Sequence, residues 1–244
     1  MMASEGWEGV GKSKLMSRSE KPAGQLGQGV RCLLIGGGLG AGKTRAIARL
    51  AAMAGKAGSR VRLLTRDHGT GHVDPAWLRS LGFEAAEVPG VGTSGKPDPL
   101  MEAIGRLAGE GHADLILAEQ VGSRANLKPT VVEPLRRKSN PSLHVGPLSV
   151  VVDPGRASRI FKLESGDQVS AGLVRLFRQQ LEEAELVVLS KVDLLSSERR
   201  AELRRVLEAE YPGAGVLEVS ARTGEGFAPW LARLNCETGR MAQP

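Results

Sequence analysis

Residues 30–50 read VRCLLIGGGLGAGKTRAIARL. A short apolar run ends in a glycine-rich turn, and apolar residues at helical spacing follow. Gly37, Gly42, Lys43 and Thr44 occupy the fixed positions of the phosphate-loop pattern GxxxxGK(S/T). That pattern restricts the fold strongly, because the loop joins a strand to the N-terminus of a helix. Glycines let backbone N–H groups turn toward phosphate oxygens, and the helix adds its positive dipole end. Lys43 is placed to reach the β- and γ-phosphates, and the Thr44 hydroxyl to ligate Mg²⁺. The candidate phosphate-binding residues are Gly38, Leu39, Gly40, Ala41, Gly42, Lys43, Thr44 and Arg45.

Strand and helix patterns alternate from this loop onward. Strand patterns cover Val30–Gly36, Arg60–Thr65, Phe83–Val88, Ala113–Ala118, Leu148–Val152, Leu186–Leu189 and Val216–Val219. Helical spacing follows the phosphate loop and recurs around Leu100–Leu107, Val169–Ala184, Ser196–Tyr211 and Phe227–Leu234. The alternation predicts an α/β fold of three layers, a mainly parallel sheet with helices on both faces. The predicted domain runs over residues 30–236, between a flexible leader at 1–29 and a tail at 237–244. Leu127–Asn140 reads as mixed and basic, with Pro129, Pro134 and Pro141 limiting any helix.

Composition narrows the class. Aromatic residues make up 3% of the chain, so the core must come from Leu, Val, Ala and Ile. The net charge of +6 permits an anionic partner, but the arginines alternate with acids as on solvated helix faces. Basic patches interleaved with stacking aromatics are absent, which argues against nucleic acid. Cys32 lies in the first strand and Cys236 in the tail. Two unrelated thiols suit a reducing, cytoplasmic compartment rather than a disulfide framework. No apolar stretch approaches the roughly 18 residues needed to span a membrane.

Several polar residues sit at strand ends, where open parallel sheets bind ligands. Asp67 follows the second strand and is a candidate for the magnesium shell or for orienting water; it also suits a turn cap. His68 and His72 are four apart, metal-ligand spacing on a helix, but the glycines between them argue against a helix; a loop metal site with Asp67 and Asp74 is the lesser reading, and histidines facing solvent or phosphate the favoured one. Glu119 and Gly122, in Glu119–Gln120–Val121–Gly122, suit a magnesium-bound water or a γ-phosphate sensor. Asp153 either caps a turn or faces the site. Ser190–Lys191–Val192–Asp193 and, further on, Ser220–Ala221–Arg222 point to guanine. A carboxylate at Asp193 can accept both the N1–H and the exocyclic amine of guanine, a donor pair adenine lacks. The Lys191 stem would cover the base, and the Ala221 amide would meet the guanine carbonyl.

With these residues in place, the chain resembles the CobW, HypB and UreG group of SIMIBI-class GTPases, the metal-centre assembly GTPases. The resemblance covers nearly all of residues 30–235. It rests on GGGLGAGKT, LTRDHG, LILAEQVG, FRQQLEEAELVVLSKVDLL and VSARTGEGF. It implies a P-loop NTPase fold and a Mg²⁺-dependent enzyme that converts GTP and water to GDP and phosphate. Lys43 and Thr44 would serve the phosphates and metal, Asp67 and Glu119 the magnesium shell and switch, and Ser190, Lys191 and Asp193 the guanine. The family typically closes two GTP-bound subunits on each other and uses hydrolysis to release a metal or cofactor to a client enzyme.

The chain departs from the group in three ways. Ser190 replaces the usual asparagine before Lys-x-Asp, so guanine affinity, or its coupling to the phosphate loop, is expected to be weaker. The Cys-x-Cys-Cys motif of CobW-like members is replaced by Gly90–Val91–Gly92–Thr93–Ser94, which removes that soft-metal site. The extra C-terminal domain of CobW is not expected, since the chain ends soon after the guanine loop. No arginine finger is obvious, and Arg45, Arg66 and Arg124 are the candidates for acting across a dimer. The rival functions are a GTP-switched interaction protein without metal cargo and a small-molecule kinase using the same loop.

Overall fold

The computed structural model describes residues 29–66, 75–88, 97–137, 140–165 and 169–233. The leader before Gly29, Asp67, His68, His72, the 90–94 loop, Cys236 and the 237–244 tail lie outside the described residues.

The described strands form a single sheet. They are β1 (Val30–Gly37), β2 (Val61–Thr65), β3 (Glu84–Glu87), β4 (Leu115–Glu119), β5 (Leu143–Val145), β6 (Ser149–Val152), β7 (Leu186–Leu189) and β8 (Gly215–Glu218). Their order is β3-β2-β4-β1-β6-β7-β8, and every recorded pairing is parallel. The sheet is therefore wound outward in both directions from β1, as the alternation of strands and helices predicts. β5 and β6 both pair with β1, at Val30–Cys32 and Ile35–Gly37 respectively, and Gly146–Leu148 lie between them. The Gly146 amide still donates to Cys32 O, so the ladder continues through the break.

Alternation along β1 divides the core. Leu33 and Ile35 pack with α1 (Lys43–Lys56), Leu78 of α2 (Pro75–Ser80), and Phe227 and Trp230 of α8 (Phe227–Arg233). Cys32 and Leu34 pack on the other face. That face is covered by α3 (Pro99–Gly109), α4 (Glu133–Arg137), α5 (Pro154–Ile160), α6 (Ala171–Glu183) and α7 (Ser197–Glu210). Each fully buried aliphatic side chain contributes about 1.5–3 kcal/mol. Helix starts follow local chemistry: Asp98, Asp153, Ser170 and Ser196 each accept an early helical N–H at their side-chain oxygens.

The Leu127–Asn140 expectation needs correcting. Lys128–Val132 is a π-helical segment that runs directly into α4. Pro129 falls in the first turn, where no intrahelical N–H is required, and Pro134 stands at the junction where the π-helical segment passes into α4. The proline positions therefore permit the helix there. The short elements α2, β5 and α5 also exceed the sequence expectation; each spans only three to seven residues, too few to display a period.

Candidate functional site

The carboxyl ends of β1, β4, β6 and β7 converge on the loop between β1 and α1. The register sets Glu119 beside Ile35, two residues before the loop begins. Gly37 leaves the strand at φ 123°, where a side chain would strike the Val151 carbonyl, so only glycine fits. α1 then starts at Lys43, which brings its N-terminal N–H groups to the cleft.

Lys43 and Thr44 are almost fully buried. The Lys43 ammonium donates to Gly38 O at 3.2 Å and lies 3.7 Å from Glu119 Oε1. The Thr44 hydroxyl donates to Glu119 Oε2 at 2.7 Å. Three of the candidate residues thus form one connected group. The cleft they border has a volume of about 290 Å³ and extends along the loop to Lys191. Arg45 and Leu39 also line it, both exposed to solvent. The oxygen donors of Thr44 and Glu119 form a hard, incomplete set, suited to an ion that keeps phosphate and water ligands. Mg²⁺ fits that description. Among the described residues no group of three or more His, Cys, Asp or Glu side chains gathers as a metal site would require. The Cys32 thiol is fully buried in the sheet, and burial pushes its pKa up to about 12, which makes it a packing residue.

The second half of the site lies on the turns after β6, β7 and β8. The Ser190 hydroxyl is 2.8 Å from Ala41 O and 2.9 Å from Val152 O. The short hydroxyl reaches the loop carbonyl directly, so this turn stays in contact with the phosphate loop although Ser190 has only one proton to donate. Lys191, in the left-handed region at φ 54°, donates to Gly40 O at 2.9 Å and to Asp153 Oδ2 at 2.7 Å. Asp153 caps α5 by accepting the Arg156 N–H, and its other carboxylate oxygen holds Lys191. Burial alone would raise its carboxyl, but the Lys191 and Arg156 contacts outweigh that and hold it below the usual range. Asp193 Oδ1 accepts from Ser220 Oγ at 2.5 Å, and Oδ2 from Arg222 Nε at 2.7 Å. The Ser220 hydroxyl, with Arg222 beside it, holds the Asp193 carboxyl low and ionised. Ala221 lies between these partners in the same turn.

Two of the three finger candidates, Arg45 and Arg124, are exposed. Arg66 is not a candidate for reaching another subunit. Its side chain is wholly buried and bonded to Asp98 and Gln120. Sequence reasoning also missed Gln180, which donates to Gly122 O and Arg124 O at 3.2 and 2.6 Å. A signal was present: Gln180 interrupts the apolar stripe of Phe177 and Leu181 on α6, which Ala184 continues just past its end.

A parallel sheet wound both ways from a phosphate loop, with a carboxylate turn at its far end, defines the P-loop nucleotide-binding class. The chain belongs to the CobW/HypB/UreG nucleotide-binding family, which it matches over residues 31–218; members of this family are GTPases of metal-centre assembly. Among solved structures it is similar to the hydrogenase maturation factor HypB from Archaeoglobus fulgidus. The identity is 22% and the TM-score 0.55, over 83% of this chain and 87% of that one. HypB from Helicobacter pylori, solved in complex with nickel, is 17% identical with a TM-score of 0.54, over 84% and 85% of the two chains. These likenesses confirm the three-layer fold. No curated protein matches the sequence significantly.

Proposed function

We propose that this protein binds GTP with Mg²⁺, hydrolyses it to GDP and phosphate, and serves as an assembly factor or metallochaperone for a partner metalloenzyme. One observation carries the guanine reading. The ionised Asp193 stands on the turn whose Lys191 and Ser190 bond the phosphate loop, so base and phosphate positions belong to one rigid unit.

In this reading Asp193 accepts the N1–H and exocyclic amine of guanine, Lys191 covers the base, and the Ala221 amide meets the carbonyl. Loop amides from Gly38 to Gly42 and the Lys43 ammonium hold and neutralise the phosphates. Thr44 and Glu119 would hold Mg²⁺, with Asp67 of the chain segment after β2 completing the shell or orienting water. Mg²⁺, when bound, neutralises the charge that develops on the β- and γ-oxygens. Water adds to the γ-phosphorus as the bond to the bridging oxygen breaks and GDP leaves. Turnover is slow without a partner, and GTP closes two subunits into a homodimer that acts on the client. The missing thiolates at 90–94 favour a second reading, a GTP-switched interaction protein without metal cargo.

Titration of metal-free protein with GTP, GDP and ATP plus Mg²⁺ tests this, with binding and oligomer mass followed together. Selective GTP binding with dimer formation is expected. Equal affinity for ATP would remove the guanine assignment, and GTP binding by a persistent monomer would move weight to the second reading. Stoichiometric Zn²⁺ or Ni²⁺ binding that disappears on changing His68 and His72 would favour the metallochaperone.

A further inference from the structure

Arg66 follows β2 directly, and its side chain is 0% exposed. A buried guanidinium is costly, and an apolar pair would fill the same space at less cost. Its two terminal nitrogens hold the Asp98 carboxylate, and Nη1 also donates to Gln120 Oε1 at 3.2 Å. Asp98 is fixed in turn by the Leu100 N–H, which it accepts at the start of α3. Gln120 Oε1 also accepts from the Val121 N–H at 3.1 Å, so the Gln120 side chain braces its own turn. The Gln120 amide donates to Ile35 O, which ties the turn to β1.

The braced turn, Glu119–Gly122, touches the cleft at both ends. Glu119 bonds Thr44, and Gly122 lies so close to the phosphate loop that a Cβ there would sit 2.7 Å from Leu39 N. Arg66, Thr65 and Gly122 all line the cleft. Two buried polar atoms at this end of β2, Thr65 Oγ1 and Arg66 Nε, have no hydrogen-bond partner among the described residues.

We propose that Arg66 is a positioning residue that, through Gln120, fixes the Glu119–Gly122 turn in the pose that senses a terminal phosphate. It thereby sets the preference for nucleoside triphosphate over diphosphate. This rests on the GTPase reading above. Arg66 acts on the turn from outside the phosphates, whereas Lys43 and Thr44 face them.

The test is equilibrium titration of the full chain with Mg²⁺ and either GDP or the β,γ-imido analogue of GTP, alongside thermal melting. Gln120→Met keeps the Arg66–Asp98 pair and removes only the brace. It is expected to lower the triphosphate-to-diphosphate affinity ratio about tenfold, the scale of one charge-assisted hydrogen bond, with GDP affinity unchanged. Arg66→Lys, which keeps the charge but loses the planar two-armed reach, is expected to lower the ratio likewise. If the wild-type chain prefers the triphosphate and Gln120→Met prefers it equally, the inference is overturned and the GTPase reading stands. Equal proportional loss for both nucleotides also overturns it, as a purely structural role would give that result. A wild-type chain that binds neither nucleotide overturns both.

Discussion

Single side chains at this site do work that their type alone does not announce. Ser190 is short, yet it stands within hydrogen-bonding distance of a phosphate-loop carbonyl and a β6 carbonyl, and one hydroxyl proton serves both. Ser190→Ala removes that donor from two carbonyls in a buried setting. The expected cost is about 1–2 kcal/mol of stability, read by chemical denaturation, together with weaker nucleotide binding. Asp193 has the opposite character. It is held ionised by Ser220 and Arg222, which lie on the turn after β8. Asp193→Asn is expected to weaken GTP binding by about 10- to 100-fold, the scale of hydrogen bonds to a charged group, and to leave ATP binding unchanged. Competitive titration of the two nucleotides would reveal whether the carboxylate reads guanine. The proposed positioning role of Arg66 belongs to this scale too, and it replaces the expectation that Arg66 acts across a dimer.

At the level of elements, α6 supports the segment that follows β4. Gln180 holds the Gly122 and Arg124 carbonyls, and Glu183 accepts the Asn126 and Lys128 N–H groups. Four backbone groups of an irregular loop are thus satisfied by two side chains one helical turn apart. Gln180→Leu keeps the volume and leaves two carbonyls without donors. Amide exchange at residues 123–128 is expected to accelerate while α6 itself keeps its protection. α8 shows how a short helix can still matter to the core. Phe227 and Trp230 are fully buried, and the Trp230 indole donates to Ser149 Oγ at 3.1 Å. Trp230→Ala is expected to cost about 3–5 kcal/mol, and Trp230→Phe markedly less, both read by urea denaturation. These contacts link the end of the chain to β6, which carries Asp153 into the site.

For the whole molecule, electrostatics predict how stability falls in acid. Burial raises Asp153 and Glu185, but the Lys191 contact at the first, and Arg136 with the Leu148 N–H at the second, outweigh it. Both folded carboxyls titrate below their ordinary values of 3.8 and 4.5. The stability they supply is therefore complete above those values and is lost as pH falls through the depressed folded ones. Glu185→Gln is expected to flatten the acid limb of a stability–pH curve, measured by denaturation at successive pH values. Much of the fold was legible from the sequence, because sheet and helix periods are local properties of the chain. The strand at Leu186–Leu189 and the helix after the phosphate loop needed no tertiary information. The phosphate loop was equally plain, since its chemistry depends on contiguous residues. The winding of the sheet followed from strand and helix alternation, and the turns bearing Ser190 and Asp193 stood out by residue type and order. Only the tertiary structure decided which distant groups meet. Asp153 and Lys191 are far apart in sequence, as are Arg66 and Asp98, and Gly122 and Gln180, and no local pattern encodes those pairings. Sheet register fixes the strand ends, and the space left between them determines which polar side chains must satisfy one another.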